Sequence, residues 1–335
     1  MSDQSNVQPI TIPTPVVALA GGVGGARLAD GLAHAIPGQS LTVIVNVGDD
    51  FDHLGLRICP DLDTVCYTLA GLANPATGWG RSDDTFKALE TLSELGGPGW
   101  FRLGDRDLGL HLERTRRLHA GQSLSQVTHA ICRAWLIAAQ VLPATDDNAP
   151  TWVYTEEGEL PFQEYFVHRQ CRPRVTGFRF QGIENARPAA GVVAALEAAQ
   201  AVVFCPSNPW VSLDPILAVP GIRPALAQPR ASRPRVGVSP ILGGKTVKGP
   251  AAKMYAELGI EPSALSVARH FAGLLDGFVI DHQDASLASA IEALGMRVLV
   301  TQTLMLTPDD RRRLAVEVLE FAAGISQTTA QEPTP

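Results

Sequence analysis

A glycine-rich loop between an apolar run and a helical pattern is the feature that most constrains the fold of this chain. Residues Val16–Ala20 are apolar throughout, and four glycines follow within residues 21–25. Leu28, Leu32 and Ile36 then recur at helical spacing. This order predicts a strand, a glycine loop and a helix. Backbone N–H groups at such a helix N-terminus can approach a phosphate group closely.

The loop departs from the fingerprint of dinucleotide-binding proteins. Counting from Gly22 and Gly24, the third glycine position holds Arg27. A guanidinium group beside the positive end of a helix is unfavourable unless an anion lies nearby. We therefore predict that Gly22, Gly24, Gly25 and Arg27 bind a phosphate; the alternative is a purely structural turn. A Walker-type loop is excluded because no Gly-Lys-Ser/Thr follows.

An acidic cluster begins where the second apolar run, residues 41–47, ends. Five aspartates fall within fifteen residues: Asp49, Asp50, Asp52, Asp61 and Asp63. Carboxylates this crowded repel one another unless a cation or protonation relieves them. Because ligands of α/β sheets bind at the carboxyl ends of strands, the cluster predicts a divalent metal such as Mg²⁺ beside a phosphate. The alternative is that Asp49 or Asp50 accepts a ribose hydroxyl while the other acids are solvated.

A short basic segment predicts a second anion site. Lysine is rare, with four in the whole chain, and three of them lie close to a helix predicted to begin at Pro250: Lys245, Lys248 and Lys253. Ammonium groups beside a helix N-terminus attract anions. The alternative is a solvated basic loop.

A turn after a later apolar run provides polar groups at the same edge of the predicted sheet. Residues 202–205 are followed by Pro206-Ser-Asn-Pro209. In one interpretation Ser207 and Asn208 contact a base or a phosphate, and in the other they cap the next helix. The sequence leaves both interpretations open.

Composition excludes several classes of protein. A formal net charge of −7 argues against nucleic-acid binding, which depends on excess Lys and Arg. No apolar run approaches the ~18 residues of a membrane span. The five cysteines contain no Cys-x-x-Cys pair, which argues against a zinc site or a redox dithiol. We therefore expect a soluble cytoplasmic protein with small-molecule substrates.

The chain alternates between apolar runs and helical patterns at both ends but not in the middle. This predicts an α/β fold with a Rossmann-like three-layer core built from residues 16–77 and 186–325. Residues 78–185 are predicted to form an inserted subdomain of helices and strands. Residues 1–15 and 326–335 are predicted to be flexible tails.

Six motifs occur together between Val16 and Ala323: Leu19-Ala-Gly-Gly-Val-Gly-Gly-Ala-Arg27, Asn46-Val-Gly-Asp-Asp50, Cys59-Pro-Asp-Leu-Asp-Thr64, Leu103-Gly-Asp-Arg-Asp107, Leu142-Pro-Ala-Thr-Asp146 and Pro206-Ser-Asn-Pro209. With these motifs the chain resembles the 2-phospho-L-lactate transferase family, including its phosphoenolpyruvate transferase branch. The resemblance implies a Rossmann-like core with an inserted subdomain, dependence on Mg²⁺ and a homodimer.

The resemblance also implies a reaction. A lactyl or enolpyruvyl diphosphoguanosine donates its phospho-acid group to the ribityl hydroxyl of the deazaflavin FO, 7,8-didemethyl-8-hydroxy-5-deazariboflavin. GMP is released, and the step belongs to coenzyme F-420 biosynthesis. The first half of the chain resembles the enolpyruvyl-using branch, whereas residues 247–254 resemble lactyl-using members. The acid of the donor therefore stays open, with a phosphoglyceryl group as a third candidate.

The resemblance assigns the metal site residue by residue. Asp49 and Asp63 match the metal-binding acids of the family, with Asp50 and Asp61 as auxiliaries. The glycine loop then faces the donor.

The remaining roles concern the nucleotide and the transfer itself. Ser207 and Asn208 are expected near the guanosine. Lys245 and Lys248 are expected to stabilise the charge that develops as GMP leaves. Asp50 is the candidate to accept the ribityl proton.

Two other functions fit parts of the sequence. A nicotinamide-dependent oxidoreductase agrees with the topology, but Arg27 and the extended acidic cluster argue against it. A non-catalytic, nucleotide-sugar-binding regulatory protein of the same fold would bind nucleotide without depending on FO. Four aromatic residues are candidates for contact with the flavin ring, with core packing as the alternative for each: Trp79, Phe101, Trp152 and Phe166.

Overall fold

The computed structural model describes residues 12–227 and 233–331 of the chain. Residues 1–11 of the predicted N-terminal tail and residues 332–335 of the predicted C-terminal tail lie outside the described residues. The described residues have the α/β architecture that the sequence predicts, with a parallel sheet between layers of helices.

Strands and helices alternate along much of the chain. The strands are β1 (Val16–Ala20), β2 (Leu41–Val45), β3 (Phe51–His53), β4 (Leu56–Ile58), β5 (Gln140–Pro143), β6 (Thr151–Thr155), β7 (Gly158–Pro161), β8 (Val175–Phe180), β9 (Ala201–Phe204), β10 (Arg235–Val238), β11 (Ile241–Leu242), β12 (Lys245–Thr246), β13 (Gly277–Asp281) and β14 (Arg297–Thr301). The α-helices are α1 (Gly22–Ala35), α2 (Pro60–Leu69), α3 (Lys87–Glu94), α4 (Asp105–His119), α5 (Leu124–Ala134), α6 (Val192–Ala198), α7 (Asp214–Ala218), α8 (Ile222–Ala227), α9 (Ala251–Glu257), α10 (Ala264–His270), α11 (Ala288–Glu292) and α12 (Pro308–Gln331).

The central sheet has seven parallel strands in the order β14-β13-β10-β9-β1-β2-β5. Val16 of β1 lies opposite Leu41 of β2 on one side and Ala201 of β9 on the other. The chain first extends the sheet from β1 through β2, and later extends it in the opposite direction through β9. Such a reversal opens a crevice at the carboxyl ends of the strands, where ligands of α/β proteins bind.

The central strands bury both of their faces. Val16, Ala18 and Ala20 of β1 belong to a core that includes α1 and α12, while Val17 and Leu19 belong to a second core with α6, α7 and α8. Burial on both faces explains why the strands are apolar without alternation. The three-layer prediction is confirmed.

A three-stranded antiparallel sheet, ordered β7-β6-β8, lies within the range predicted as an insertion. The same range also contributes β5, which pairs with β2 at the edge of the central sheet, with Val141 opposite Val43. Residues 78–185 are therefore not separate from the core, because one strand of the core sheet comes from them.

The final helix, α12, extends to Gln331 and so into the range predicted as a C-terminal tail. It packs along α1, where the backbone at Arg311 lies directly against Gly31. None of the helices that the structure describes combines the length and the apolar character of a membrane span.

Candidate active site

A cavity of about 780 Å³ lies at the point where the strand order reverses. Its walls come from the glycine loop after β1, the turn of residues 206–209 after β9, the first turn of α2, and segments within residues 239–251 and 303–305. Residues of the predicted insertion complete it. A cavity of this size accommodates a drug-sized or nucleotide-sized ligand.

The glycine loop allows α1 to pack against the turn that follows β9. A Cβ atom added at Gly24 would clash with the carbonyl oxygen of Pro206, and one added at Gly25 would lie 2.6 Å from the Ser207 hydroxyl oxygen. That hydroxyl donates to the Gly21 carbonyl oxygen at 2.8 Å and accepts from the Gly21 N–H at 3.1 Å. Gly24 lines the cavity. Gly25 does not line it, but its lack of a side chain allows the turn to lie close to the helix. The first turn of α1 therefore presents its backbone to the cavity.

Asp49 and Asp61 are the two acids of the cluster that line the cavity. The buried amide of Asn46 joins them, because its Nδ2 donates to Asp49 Oδ1 at 3.1 Å and to Asp61 Oδ2 at 2.9 Å. The N–H of Gly22, which also lines the cavity, donates to Asp61 Oδ1 at 2.8 Å. Burial, and then the negative charge of Asp61, hold the pKa of Asp49 well above its usual range. Burial likewise raises the pKa of Asp61 to about 6.

This pair of carboxylates fits a divalent metal ion. Two buried acids that repel each other are stabilised in their charged form by a nearby cation. In the part of the chain that the structure describes, no group of three or more His, Cys, Asp or Glu side chains is arranged to hold a metal by itself. Mg²⁺ suits such a site, because it commonly takes one or two carboxylates together with waters and substrate phosphate oxygens. Asp49 and Asp61 are the residues that would hold it.

Asp63, which the resemblance matches to a metal-binding acid, is directed away from the cavity. Its Oδ2 accepts from Arg114 Nη1 at 3.2 Å, its Oδ1 accepts from Arg114 Nη2, and His111 Nδ1 lies 3.7 Å away. Residues two apart on an α-helix point about 200° apart around its axis, so Asp61 and Asp63 cannot face the same side of α2. Pro60 at the helix start, followed by acids in the first turn, is the sequence signal that could have predicted this helix.

Asp50 also lies outside the cavity lining. Its side chain is buried, with Oδ2 at 3.8 Å from Arg57 Nη2. Burial raises the pKa of Asp50 to about 7, against the opposing effect of Arg57. A proton acceptor must come within hydrogen-bond reach of its substrate, so this placement gives no support to Asp50 as the base.

Three cations line the cavity, the exposed Arg102 and the pair Arg27 and Lys248. Arg27 Nη1 donates to the Met305 carbonyl oxygen at 2.8 Å, and Lys248 Nζ donates to the Thr77 carbonyl oxygen. Burial and the positive charge of Arg27 lower the pKa of Lys248. An anion in the cavity would stabilise the charges of Arg27 and Lys248. Lys245, by contrast, is exposed on β12 and does not line it.

Ser207 and Asn208 line the cavity as well. Asn208 Oδ1 accepts from the Trp210 N–H at 3.1 Å and so caps a π-helical turn, Pro209–Leu213. Its Nδ2 lies 3.4 Å from Met254 Sδ. Asn208 therefore has the capping role that the sequence left open, and its side chain also borders the ligand space.

One wall of the cavity is aromatic. Of the four aromatic candidates, Trp79, Phe101 and Phe166 line the cavity, and Trp152 does not. Trp79 and Phe166 are 46% and 36% exposed, so core packing does not account for them. Trp100 and Phe162, which were not predicted from the sequence, complete the wall: Phe162 stacks on Phe166 with ring centroids 5.4 Å apart.

With this geometry established, comparison with known proteins identifies the family. The profile of the family described as 2-phospho-L-lactate transferase CofD matches residues 16–318. The chain belongs to this family. The resemblance inferred from the motifs is confirmed, and so is the prediction of a transferase at the level of the family. CofD membership also argues against a nicotinamide-dependent oxidoreductase.

Individual CofD relatives agree with this result. The phosphoenolpyruvate transferase of Streptomyces griseus subsp. griseus is 47% identical over 316 residues, which cover 92% of this chain and 99% of the relative. The phosphoenolpyruvate transferase of Mycobacterium tuberculosis is 40% identical over 311 residues, covering 85% and 93%. A crystal structure of a UPF0052 family member from Bacillus halodurans aligns with a TM-score of 0.60 over 91% of this chain and 99% of that one. At 17% identity, that likeness shows the fold alone.

Proposed function

We propose that this protein transfers the phosphoenolpyruvyl group of enolpyruvyl diphosphoguanosine to the ribityl hydroxyl of FO and releases GMP, a step of coenzyme F-420 biosynthesis. One observation carries the proposal: two buried carboxylates, Asp49 and Asp61, and three cations, among them Arg27 and Lys248, line one cavity. A diphosphate substrate needs both kinds of group, because a metal ion and fixed cations divide its negative charge. The relatives named above are phosphoenolpyruvate transferases, which supports the enolpyruvyl donor over the lactyl and phosphoglyceryl ones.

The donor diphosphate would lie against the first turn of α1. Backbone N–H groups at a helix N-terminus bind phosphate oxygens, and Arg27 and Lys248 add two charged donors. Ser207 and Asn208 are the groups that we assign to the guanosine. A divalent metal held by Asp49 and Asp61 would act on the diphosphate oxygens as a Lewis acid.

The aromatic wall supports a planar acceptor. Flavin-like rings stack on aromatic side chains, and Trp100, Phe101 and Phe166 present such surfaces in the cavity. We assign this wall to the deazaflavin ring of FO, with its ribityl chain directed towards the diphosphate.

In the transfer, the ribityl oxygen forms a bond to the phosphorus that carries the enolpyruvyl group. The bond from this phosphorus to the oxygen bridging it to GMP breaks, and GMP leaves with the bonding electron pair. Arg27 and Lys248 stabilise the charge that develops on the leaving phosphate. Phosphoryl transfer with a loose transition state depends chiefly on positioning and charge, so the hydroxyl proton can leave to water without a dedicated base.

The decisive experiment mixes the full chain, Mg²⁺ and FO with the enolpyruvyl donor or the lactyl donor, and follows GMP and the flavin product by chromatography. We expect product with the enolpyruvyl donor, loss of turnover on chelation with EDTA, and recovery when Mg²⁺ is restored. An Arg312→Gln variant provides a matched control, because Arg312 is exposed on α12 and does not line the cavity.

Two outcomes would change the conclusion. Faster turnover with the lactyl donor would correct the acid but keep the reaction. Binding of guanosine nucleotides without product from either donor would refute the transferase and favour a non-catalytic, nucleotide-binding regulatory protein.

A further inference from the structure

A second pocket, of about 320 Å³, adjoins the cavity. The two spaces share Val23 and Arg27. Elsewhere the loop of residues 74–80 lies between the two spaces, because Gly78 lines the second pocket and Thr77 lines the cavity. The second pocket therefore adjoins the cavity across this loop, and the residues that line the second pocket alone have no part in the proposed transfer.

Two guanidinium groups, those of Arg27 and Arg311, line the second pocket. Arg311 Nη1 pairs with Asp30 Oδ2 at 3.0 Å, whereas Arg27 forms no ion pair with any described residue. Burial and the positive charge of Arg311 lower the pKa of Arg27. Only Arg311 therefore has a carboxylate partner among the described residues, and positive charge is left over in a chain whose net charge is −7.

Thr68 and Ser82, which line the second pocket, already donate to backbone carbonyl oxygens, whereas Arg311 and Asn74 retain donors for a ligand. The buried Nε of Arg311 has no hydrogen-bond partner among the described residues. Asn74 lines the pocket with an amide whose oxygen already accepts from the Ala76 N–H at 3.0 Å, so it can meet a ligand as a donor. Within the described ranges, no Asp or Glu lines this pocket. Buried N–H donors are normally satisfied, so a ligand with several acceptor oxygens fits this space.

We propose that the second pocket binds a tetrahedral oxyanion, as inorganic phosphate or as the phosphate group of a small monoester, between Arg27 and Arg311. Guanidinium groups recognise such oxygens by paired, charge-assisted hydrogen bonds. The volume exceeds that of a phosphate ion, which leaves room for waters or for a small ester group. The inference does not depend on the proposed reaction. It shares Arg27 with the donor site, and the other residues on which it rests lie outside that site.

Isothermal titration calorimetry on the full chain tests this site, with inorganic phosphate and with glycerol 2-phosphate as probes. Arg311→Gln removes one guanidinium group, and Ser82→Asp places a carboxylate at a half-buried position that lines the pocket, while the Arg311–Asp30 pair stays intact. The matched control is Arg312→Gln, on the exposed side of the same helix. Lys248→Gln identifies binding in the cavity, because Lys248 lines the cavity and not the second pocket.

We expect Arg311→Gln and Ser82→Asp each to weaken phosphate binding by about tenfold or more, because the first removes a charge-assisted hydrogen bond and the second places a negative charge beside the anion. Arg312→Gln should have no effect, and Lys248→Gln should leave this binding event in place. Tighter binding of glycerol 2-phosphate than of phosphate would identify a monoester as the ligand class, and the reverse would identify the free ion. The proposal is overturned if neither probe binds at millimolar concentration, or if Lys248→Gln abolishes binding while Ser82→Asp leaves it unchanged.

Discussion

Replacing Gly24 by alanine tests whether the close approach of α1 to the Pro206 turn determines the shape of the cavity. Real Cβ atoms essentially never come within 3.0 Å of another heavy atom, and the added Cβ would lie roughly 0.7 Å inside this limit from the Pro206 carbonyl oxygen. Gly24 is not among the glycines with a positive φ, so its backbone conformation suits alanine. Any effect therefore comes from the contact, which only a shift of the two backbones can relieve.

The size of the effect follows from this shift. Overpacking of a close contact costs about 1–3 kcal/mol of folding free energy. The shift also separates the first turn of α1 from Ser207 and Asn208, both of which border the cavity. Misplacing substrate-binding groups by about 1 Å can reduce turnover about 100-fold, so we expect kcat/KM to fall by about 10- to 100-fold.

Urea unfolding and the GMP-release assay measure the two effects. The control is Gly109→Ala in the exposed part of α4, where an added Cβ meets no atom within 4 Å. Helix propensity predicts that this control gains about 0.5–1 kcal/mol of stability without loss of turnover. If Gly24→Ala keeps both the stability and the kcat/KM of the unchanged protein, the close contact with Pro206 does not determine the shape of the cavity.

Three further variants test the acids of the cluster and the segment that bears Lys248. Asp61→Asn keeps an acceptor for the Gly22 N–H but removes one carboxylate, so the Mg²⁺ concentration for half-maximal turnover should rise by about tenfold or more; an unchanged Mg²⁺ titration would contradict this. Arg114→Met leaves Asp63 buried without its partner and should cost about 3–5 kcal/mol in urea unfolding, part of which Asp63→Asn should restore; an unchanged midpoint would exclude a stabilising pair. Asp284→Ala removes the acceptor of the Gly243 N–H, at 3.1 Å, and should raise the KM for the donor about tenfold by loosening the segment that bears Lys248; an unchanged KM would show that this hydrogen bond does not position the segment.

The architecture could be predicted because its signals are local. A run such as Val16–Ala20 is apolar throughout because each residue is buried on one face or the other of the sheet. The glycine loop and the helical spacing after it identify the first strand, turn and helix without reference to the rest of the chain. The exception is β5, whose short apolar stretch reads as part of an insertion until its pairing with β2 is known.

The aromatic wall illustrates what local patterns cannot show. Trp100 and Phe101 come from the connection before α4, whereas Phe162 and Phe166 follow β7. Apolar residues in loops and short strands carry the same signal whether they pack in a core or face a ligand. Only the position of each segment around the cavity distinguishes the two cases.

The fold class and the edge of the sheet where the site lies can be predicted from the sequence, since the glycines, acids and polar turns each follow a strand. Which of these groups meet depends on the tertiary structure. Asp61 faces the cavity and Asp63 pairs with Arg114, fifty-one residues away, because the helix α2 turns the two acids in opposite directions. Burial makes an unpaired charge costly, so each acid takes the partner that the fold brings to it, and that partner is distant in the sequence.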